Sequence, residues 1–307
     1  MRTAMLGNVE VSVVGLGCNN FGRALDKTQS AAVVNAALDA GITHFDTASN
    51  YGEGKSEAFL SAALGNRRHE VVIATKVGVA IPGWEGSGGA GPEYVRQVLD
   101  RSLSELGTDY VDIYMIHFPD PKTPIEDTLE TMNDLVEEGK VRQIGCSNFD
   151  ANQLTEALEA SKENGWAAFV CDQVHYSMVH REPETNGLAR LCVDTGVALL
   201  PFYPLASGLL TGKTRRGAEP QGRLKMDRYQ EFLTDENFDL VEGVERFASD
   251  RGLTLVQVAL GWLLAQEAVP AVTAGATTPE QVASNALAAQ WGPTQEDLAV
   301  LSAIIDA

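Results

Sequence analysis

The chain has 307 residues, 44% hydrophobic and 21% charged, which is ordinary for a globular protein and long enough to bury a sizeable core. Its 23 Lys and Arg stand against 42 Asp and Glu, a net charge of −19 that argues against nonspecific binding to nucleic acid or an anionic membrane, since both need a basic face. No stretch approaches the roughly 18 apolar residues of a membrane span. The N-terminal MRTAMLGNVEVSVVGLG lacks the apolar core and cleavage site of a signal peptide, so a cytoplasmic protein is expected. Cys18, Cys146, Cys171 and Cys192 form no C-x-x-C, and the five histidines form neither H-x-H nor H-E-x-x-H, so no metal site is expected.

Apolar, β-rich runs alternate with amphipathic helical runs along the chain. In order, the expected strands are 11–17, 43–48, 71–76, 111–117, 141–147, 169–174, 198–203 and 271–276. Helical patterns occupy 28–40, 92–106, 125–138, 151–163 and 184–195, most of them closed by a glycine such as Gly41, Gly107, Gly139, Gly165 or Gly196. Near-continuous apolar strands separated by helices imply a parallel sheet covered by helices. Eight such units without a linker predict the α/β class, with residues 1–307 forming a single (β/α)8 TIM-barrel domain. A short floor segment is expected at 2–9, and two extra helices near 254–266 and 294–305.

The stretch GLGCNNFG contains Gly15-x-Gly17 but has Asn20 where a dinucleotide-binding fingerprint needs its third glycine, and no helix opens directly after it. In a barrel, catalytic groups sit at the C-terminal ends of the strands. Asp46 ends the second expected strand, Tyr51 follows on its loop, Lys76 ends the third and His117 the fourth. Each alone has an ordinary use, as a cap, a solvated charge or a packed ring, but four ionisable groups at neighbouring strand ends suggest a reaction centre. A tyrosine of pKa about 10 is a poor proton donor and acceptor at neutral pH. A nearby ammonium would favour phenolate and lower that pKa, a carboxylate would hold the ammonium, and His117 would orient a carbonyl.

These residues lie in segments that resemble the aldo-keto reductase family: DTASNYGEGKSE, VVIATK, LGTDYVDIYMIHFPD, GKVRQIGCSNF, DQVHYS, PLASGLLTGK and GATTPEQVASN. The resemblance implies a (β/α)8 barrel that binds NADP(H), with NAD(H) as the alternative, and that reduces an aldehyde or ketone. It makes Tyr51 the general acid and Asp46, Lys76 and His117 the rest of a tetrad. Ser147, Asn148 and Gln173 would grip the nicotinamide carboxamide, and Phe202 would stack on its ring. Tyr203 stands where relatives often have Ser. Gly17, Leu205, Gly208 and Lys213 fall on cofactor-binding stretches. Gly275, Ala276 and Thr277 end the last strand at a helix start, which favours a phosphate, and Gln281 and Asn285 match adenine-side positions. Thr277 and Thr278 stand where many relatives have Arg, and Ser284 where they have Glu, so only a modest preference for NADPH is expected. Channel β-subunits share the resemblance, which leaves a nucleotide-sensing regulatory subunit as the alternative, but those carry Asn where this chain has His117. A metal-dependent hydrolase built on His44, Asp46 and His117 would lack the usual H-x-H pair.

Residues 204–237 are too long for an ordinary turn. Between Thr211 and Arg228, Lys213, Arg215, Arg216, Arg223, Lys225 and Arg228 face only Glu219 and Asp227, a local +4 that is either a solvated face or an attractor for dinucleotide phosphates. For the substrate, Phe21, Trp84 and Phe118 are expected to wall an apolar pocket with no fixed cation. That pocket would favour aromatic or medium-chain aldehydes over small carboxylated ones. The expected partner is a small carbonyl or alcohol; nothing in the sequence points to a protein partner.

Overall fold

The computed structural model describes residues 1–307. It opens with an antiparallel hairpin, β1 (Thr3–Leu6) and β2 (Val9–Ser12), and continues as β3 (Val14–Gly17), α1 (Lys27–Asp39), β4 (His44–Asp46), α2 (Ser56–Leu64), β5 (Val72–Val77) and α3 (Pro92–Leu106). Then come β6 (Val111–Ile116), α4 (Ile125–Glu137), β7 (Val141–Ser147), α5 (Ala151–Asn164), β8 (Phe169–His175), α6 (Glu182–Thr185), α7 (Leu188–Thr195) and β9 (Ala198–Phe202). The chain closes with α8 (Asp235–Asp250), α9 (Leu255–Leu263), β10 (Val272–Gly275), α10 (Pro279–Ala286) and α11 (Gln295–Ile305).

Eight parallel strands pair in the order β10-β3-β4-β5-β6-β7-β8-β9. β9 and β10 are neighbours, so the sheet is a nearly closed barrel. Strand side chains alternate between two environments. One set packs outward against the helices in the large apolar cluster, as Leu16, Phe45, Ile73 and Ile144 do. The other set fills the interior, where Ala74, Ile113, Met115, Cys171 and Leu200 meet Leu6, Val9 and Val11 of the hairpin. The hairpin therefore stoppers the barrel floor, as the position of segment 2–9 predicted. No helix is long and apolar enough to cross a membrane.

Local chemistry explains several boundaries. Asp26, Asp150 and Thr254 each form a reciprocal capping box with a glutamine three residues on, starting α1, α5 and α9; such a cap is worth about 1 kcal/mol. The single strand expected at 11–17 is two strands, because the Ser12 hydroxyl donates to Val14 O at 2.8 Å and accepts from the Thr43 and His44 N–H groups, turning the chain from the floor into the wall. The helix expected at 184–195 is broken at Asn186-Gly187, where Gly187 takes φ 89°. The supernumerary helices also differ from expectation. α9 is buried along most of its length and packs against α10, filling a place in the ring, whereas α8 and α11 pack on each other as the additions.

Candidate active site

Lys76 points into the top of the barrel and has no exposed surface. Its ammonium donates to Asp46 Oδ1 at 2.6 Å and to Thr47 O at 2.9 Å. The same carboxylate oxygen accepts from Gln173 Nε2 at 3.1 Å, so β4, β5 and β8 meet at one atom. Tyr51 stands on the loop after β4, with the ammonium 5.1 Å from its ring centroid. The loop can turn this way because Gly52 has φ 57° and a Cβ there would lie 1.9 Å from Phe21 O. His117 follows β6, its N–H bonded to Val77 O at 2.7 Å, and its ring meets Tyr51 edge-on at 5.7 Å. All four residues singled out in the sequence are therefore brought together.

Burial would drag the Lys76 ammonium down, but Asp46 and Tyr51 outweigh it and hold the pKa above its usual value. Burial pushes the Tyr51 phenol up, and the opposing Lys76 charge does not reverse this. The sequence-based expectation that the ammonium would lower the tyrosine is thus corrected: Asp46 already compensates the charge, and desolvation wins. Tyr51 is protonated at neutral pH. Burial and the Lys76 charge push His117 down to about 3, so its imidazole is neutral, and its buried Nδ1 has no hydrogen-bond partner.

A cleft of about 1310 Å3 runs from this centre across the barrel mouth. Asn148, at φ 62°, donates to His117 O at 2.9 Å and to Ser147 Oγ at 3.0 Å, and Ser147 donates to Gln173 O at 2.7 Å. This network uses the amide N–H groups of Asn148 and Gln173 and leaves both amide oxygens without an internal partner. Phe202 also lines the cleft and stacks on His175, 5.6 Å away and 14° from parallel. Tyr203, at φ 51°, shares a hydrogen bond of 3.1 Å with Tyr229. Gly17, Leu205, Gly208, Lys213, Gly275, Ala276, Thr277, Gln281 and Asn285 all lie on the walls. The start of α10 is internally satisfied: Gln281 Oε1 accepts from the Thr277 N–H and hydroxyl, at 2.8 and 3.1 Å, and Thr278 caps the helix.

A strap of residues 204–234, between β9 and α8, reaches over the cleft. Its Arg223 donates to Asn19 Oδ1 at 2.8 Å and Asn20 Oδ1 at 2.6 Å, contacts that sequence reasoning missed. The local +4 of the strap is not all free. Arg215 pairs with Glu245, and Arg216 with Asp235, Asp239 and Glu242, all on α8.

Residues 13–306 match the family model described as Aldo/keto reductase family. The chain belongs to this family. It is 32% identical over 286 residues to a probable voltage-gated potassium channel subunit beta of Arabidopsis thaliana, covering 90% of this chain and 87% of that one. It is 33% identical over 281 residues to the L-glyceraldehyde 3-phosphate reductase of Escherichia coli K12, covering 87% and 80%. It is 31% identical over 333 residues to that organism's NADH-specific methylglyoxal reductase, covering 100% and 99%.

In this family member the three aromatic residues expected at the substrate wall separate. Phe21 has no exposed surface and belongs to the core, because the packing of Gly22 on Gly52 turns its ring inward. Trp84 packs edge-on against Tyr94 at 5.6 Å, with the Arg101 guanidinium 5.9 Å from its ring, and the cleft is walled instead by Val79 and Pro82. Phe118 does line the cleft, 49% exposed and stacked on His117. The expected absence of a cation is also corrected, since Arg23 and Arg228 are on the walls.

Proposed function

We propose that this family member interconverts an aldehyde or ketone and its alcohol, using a nicotinamide dinucleotide, with Tyr51 as the proton donor for reduction. The observation that carries this reading is the buried Lys76 ammonium, held by Asp46 at 2.6 Å and 5.1 Å from the Tyr51 ring centroid. A buried ion pair is weak evidence for stability alone. Beside a phenol, its ammonium stabilises the negative charge left when the proton departs, which is where electrostatic catalysis is effective. As the Tyr51 hydroxyl protonates the carbonyl oxygen, the neutral His117 imidazole supplies a second hydrogen bond to that oxygen.

The dinucleotide, when bound, supplies the hydride that the carbonyl carbon receives. The residues present fit it. Asn148 and Gln173 have unpartnered amide oxygens for the carboxamide, with Ser147 fixing both, and Phe202 offers a ring face. The backbone at Gly17, Leu205, Gly208, Gly275 and Ala276 allows close approach. Lys213 suits a phosphate, whereas the Thr277 N–H at the start of α10 is already held by Gln281, and Gln281 and Asn285 suit the adenine. NADPH is favoured over NADH only modestly, because the Thr277 hydroxyl is bonded to Gln281, the Thr278 hydroxyl caps α10, and Arg215 and Arg216 are paired with acids.

The name of the channel-subunit relative favours a second reading, a nucleotide-sensing regulatory subunit with little turnover. A panel of aldehydes and ketones with NADPH and NADH, followed at the nicotinamide absorbance, tests both. Turnover with several-fold lower Kd for NADPH is expected. Tight NADPH binding without turnover of any carbonyl would favour the regulatory reading, and equal or tighter NADH binding would overturn the cofactor preference.

A further inference from the structure

Three guanidinium groups on the cleft wall have no role in the reaction as described. Arg23 stands on the loop after β3, and Arg223 and Arg228 on the strap. After burial, which is the largest cause, Arg23 and Arg228 are among the charges that act on Arg223 and lower its pKa, so the three positive charges share one neighbourhood. Their contacts are neutral: Arg223 to the amide oxygens of Asn19 and Asn20, Arg23 to Met226 Sδ at 3.9 Å, and Arg228 over the Tyr229 ring at 4.7 Å. None forms a salt bridge, in a chain with 42 carboxylate side chains. Of the acids on the same wall, Asp46 and Glu53 are taken by Lys76 and Lys55, and Glu280 lies in the first turn of α10. Arg215 and Arg216, on the same strap but off the cleft, are fully paired. The acidic protein thus neutralises these off-cleft strap cations and leaves those along the cleft without a counter-ion. Gathered like charges without a counter-ion cost free energy that a bound anion recovers.

Placement indicates which anion. Gly22, next to Arg23, packs against Gly52, next to Tyr51, so tightly that a Cβ on Gly22 would lie 2.9 Å from Gly52 O. The Arg23 backbone therefore starts beside the proton donor's loop, and its guanidinium reaches across to the strap at Met226. Arg223 is tied down by Asn19 and Asn20, whereas Arg23 and Arg228 are exposed. We infer that Arg23 and Arg228 determine specificity by holding a carboxylate or phosphate on the carbonyl substrate itself, so that the preferred substrates are anionic aldehydes or ketones. A guanidinium fork matches such an oxyanion in both geometry and charge. The inference deepens the carbonyl-reductase reading and depends on it.

The test compares 4-carboxybenzaldehyde with 4-methylbenzaldehyde at saturating NADPH. The carboxylated substrate should have a kcat/KM about tenfold higher, carried by KM, on the scale of one charge-assisted contact. Arg23→Gln and Arg228→Gln should each cut that ratio about fivefold through KM, and by more than they change the Kd for NADPH. Arg215→Gln, which removes a charge off the cleft, should leave the ratio unchanged. Equal kcat/KM for the two aldehydes in the wild type, an unaltered ratio in Arg23→Gln, or a loss of NADPH affinity as large as the rise in KM would overturn the inference; the last result would give the cations to the dinucleotide. If neither aldehyde is turned over, the reductase reading falls by itself, and calorimetry on the NADPH-bound protein decides the anion site. Tighter binding of the carboxylated aldehyde, lost in Arg23→Gln, would support the site, and equal binding of both would overturn it.

Discussion

Replacing Asp172 by asparagine should stabilise the protein in a pH-dependent way. Asp172 lies on β8 beside Gln173, is 0% exposed, and neither carboxyl oxygen has a hydrogen-bond partner. Burial raises its pKa from 3.8 to about 7; the nearby Phe149 N–H and Cys146 thiol oppose the rise without reversing it, and Asp150 adds a smaller push upward. A rise of that size corresponds to about 4 kcal/mol between the protonation states. The sign follows from proton binding. Above about pH 4 the unfolded chain gives up this proton while the folded protein keeps it, so this residue's contribution to stability falls until about pH 7 and is level beyond. The amide of the variant has no such proton to lose. Urea denaturation at pH 4.5, 6 and 8 should therefore give an advantage for Asp172→Asn of about 1 kcal/mol at the lowest pH that grows to at most about 4 kcal/mol at pH 8. An advantage independent of pH, or a variant less stable than wild type at pH 8, would refute the claim that the carboxyl is buried without support.

Tyr51→Phe should lower turnover about a hundredfold or more while leaving the Kd for NADPH within a few-fold, because the ring remains and only the transferable proton is lost; near-normal turnover would remove Tyr51 from its role. Because Tyr51 lies above its usual pKa and His117 at about 3, the rate of reduction should be level through the neutral range and fall only on the alkaline side as the phenol ionises. A fall between about pH 6 and 7 would implicate another group. Trp84→Ala should leave the KM for carbonyl substrates within about twofold, as its ring packs on Tyr94 away from the cleft wall; a large rise in KM would return Trp84 to the substrate site.

The barrel and the clustering of Asp46, Tyr51, Lys76 and His117 are legible in the sequence because each depends on information carried locally. Runs such as VVIATK and VDIYMI are buried along their whole length, and a strand's end fixes which residue reaches the mouth. Asp46, Lys76 and His117 need no more than that. Phe21 and Trp84 sit on loops, where a residue's side is decided by tertiary contacts, here Gly22 on Gly52 and Trp84 on Tyr94. The bond between Arg223 and the Asn19-Asn20 pair joins residues some two hundred positions apart, and no periodicity announces it. The strap's local +4 divides for a related reason: the α8 acids that neutralise Arg215 and Arg216 lie outside that stretch of sequence.

The pKa of Tyr51 shows most clearly what composition and spacing omit. They supply the partners, an ammonium and a carboxylate, and from partners alone the phenol should be easier to ionise. The structure adds burial and the 2.6 Å contact that gives the ammonium's charge to Asp46 first. Desolvation then outweighs what remains of the Lys76 field, and the phenol is harder to ionise than in water. The consequence is directional. A centre whose tyrosine rests protonated is ready to give a proton to a carbonyl oxygen, whereas oxidation of an alcohol must first remove that proton. Reduction should therefore proceed from the resting protonation state at neutral pH, and oxidation should gain steadily as the pH rises toward the elevated pKa of Tyr51.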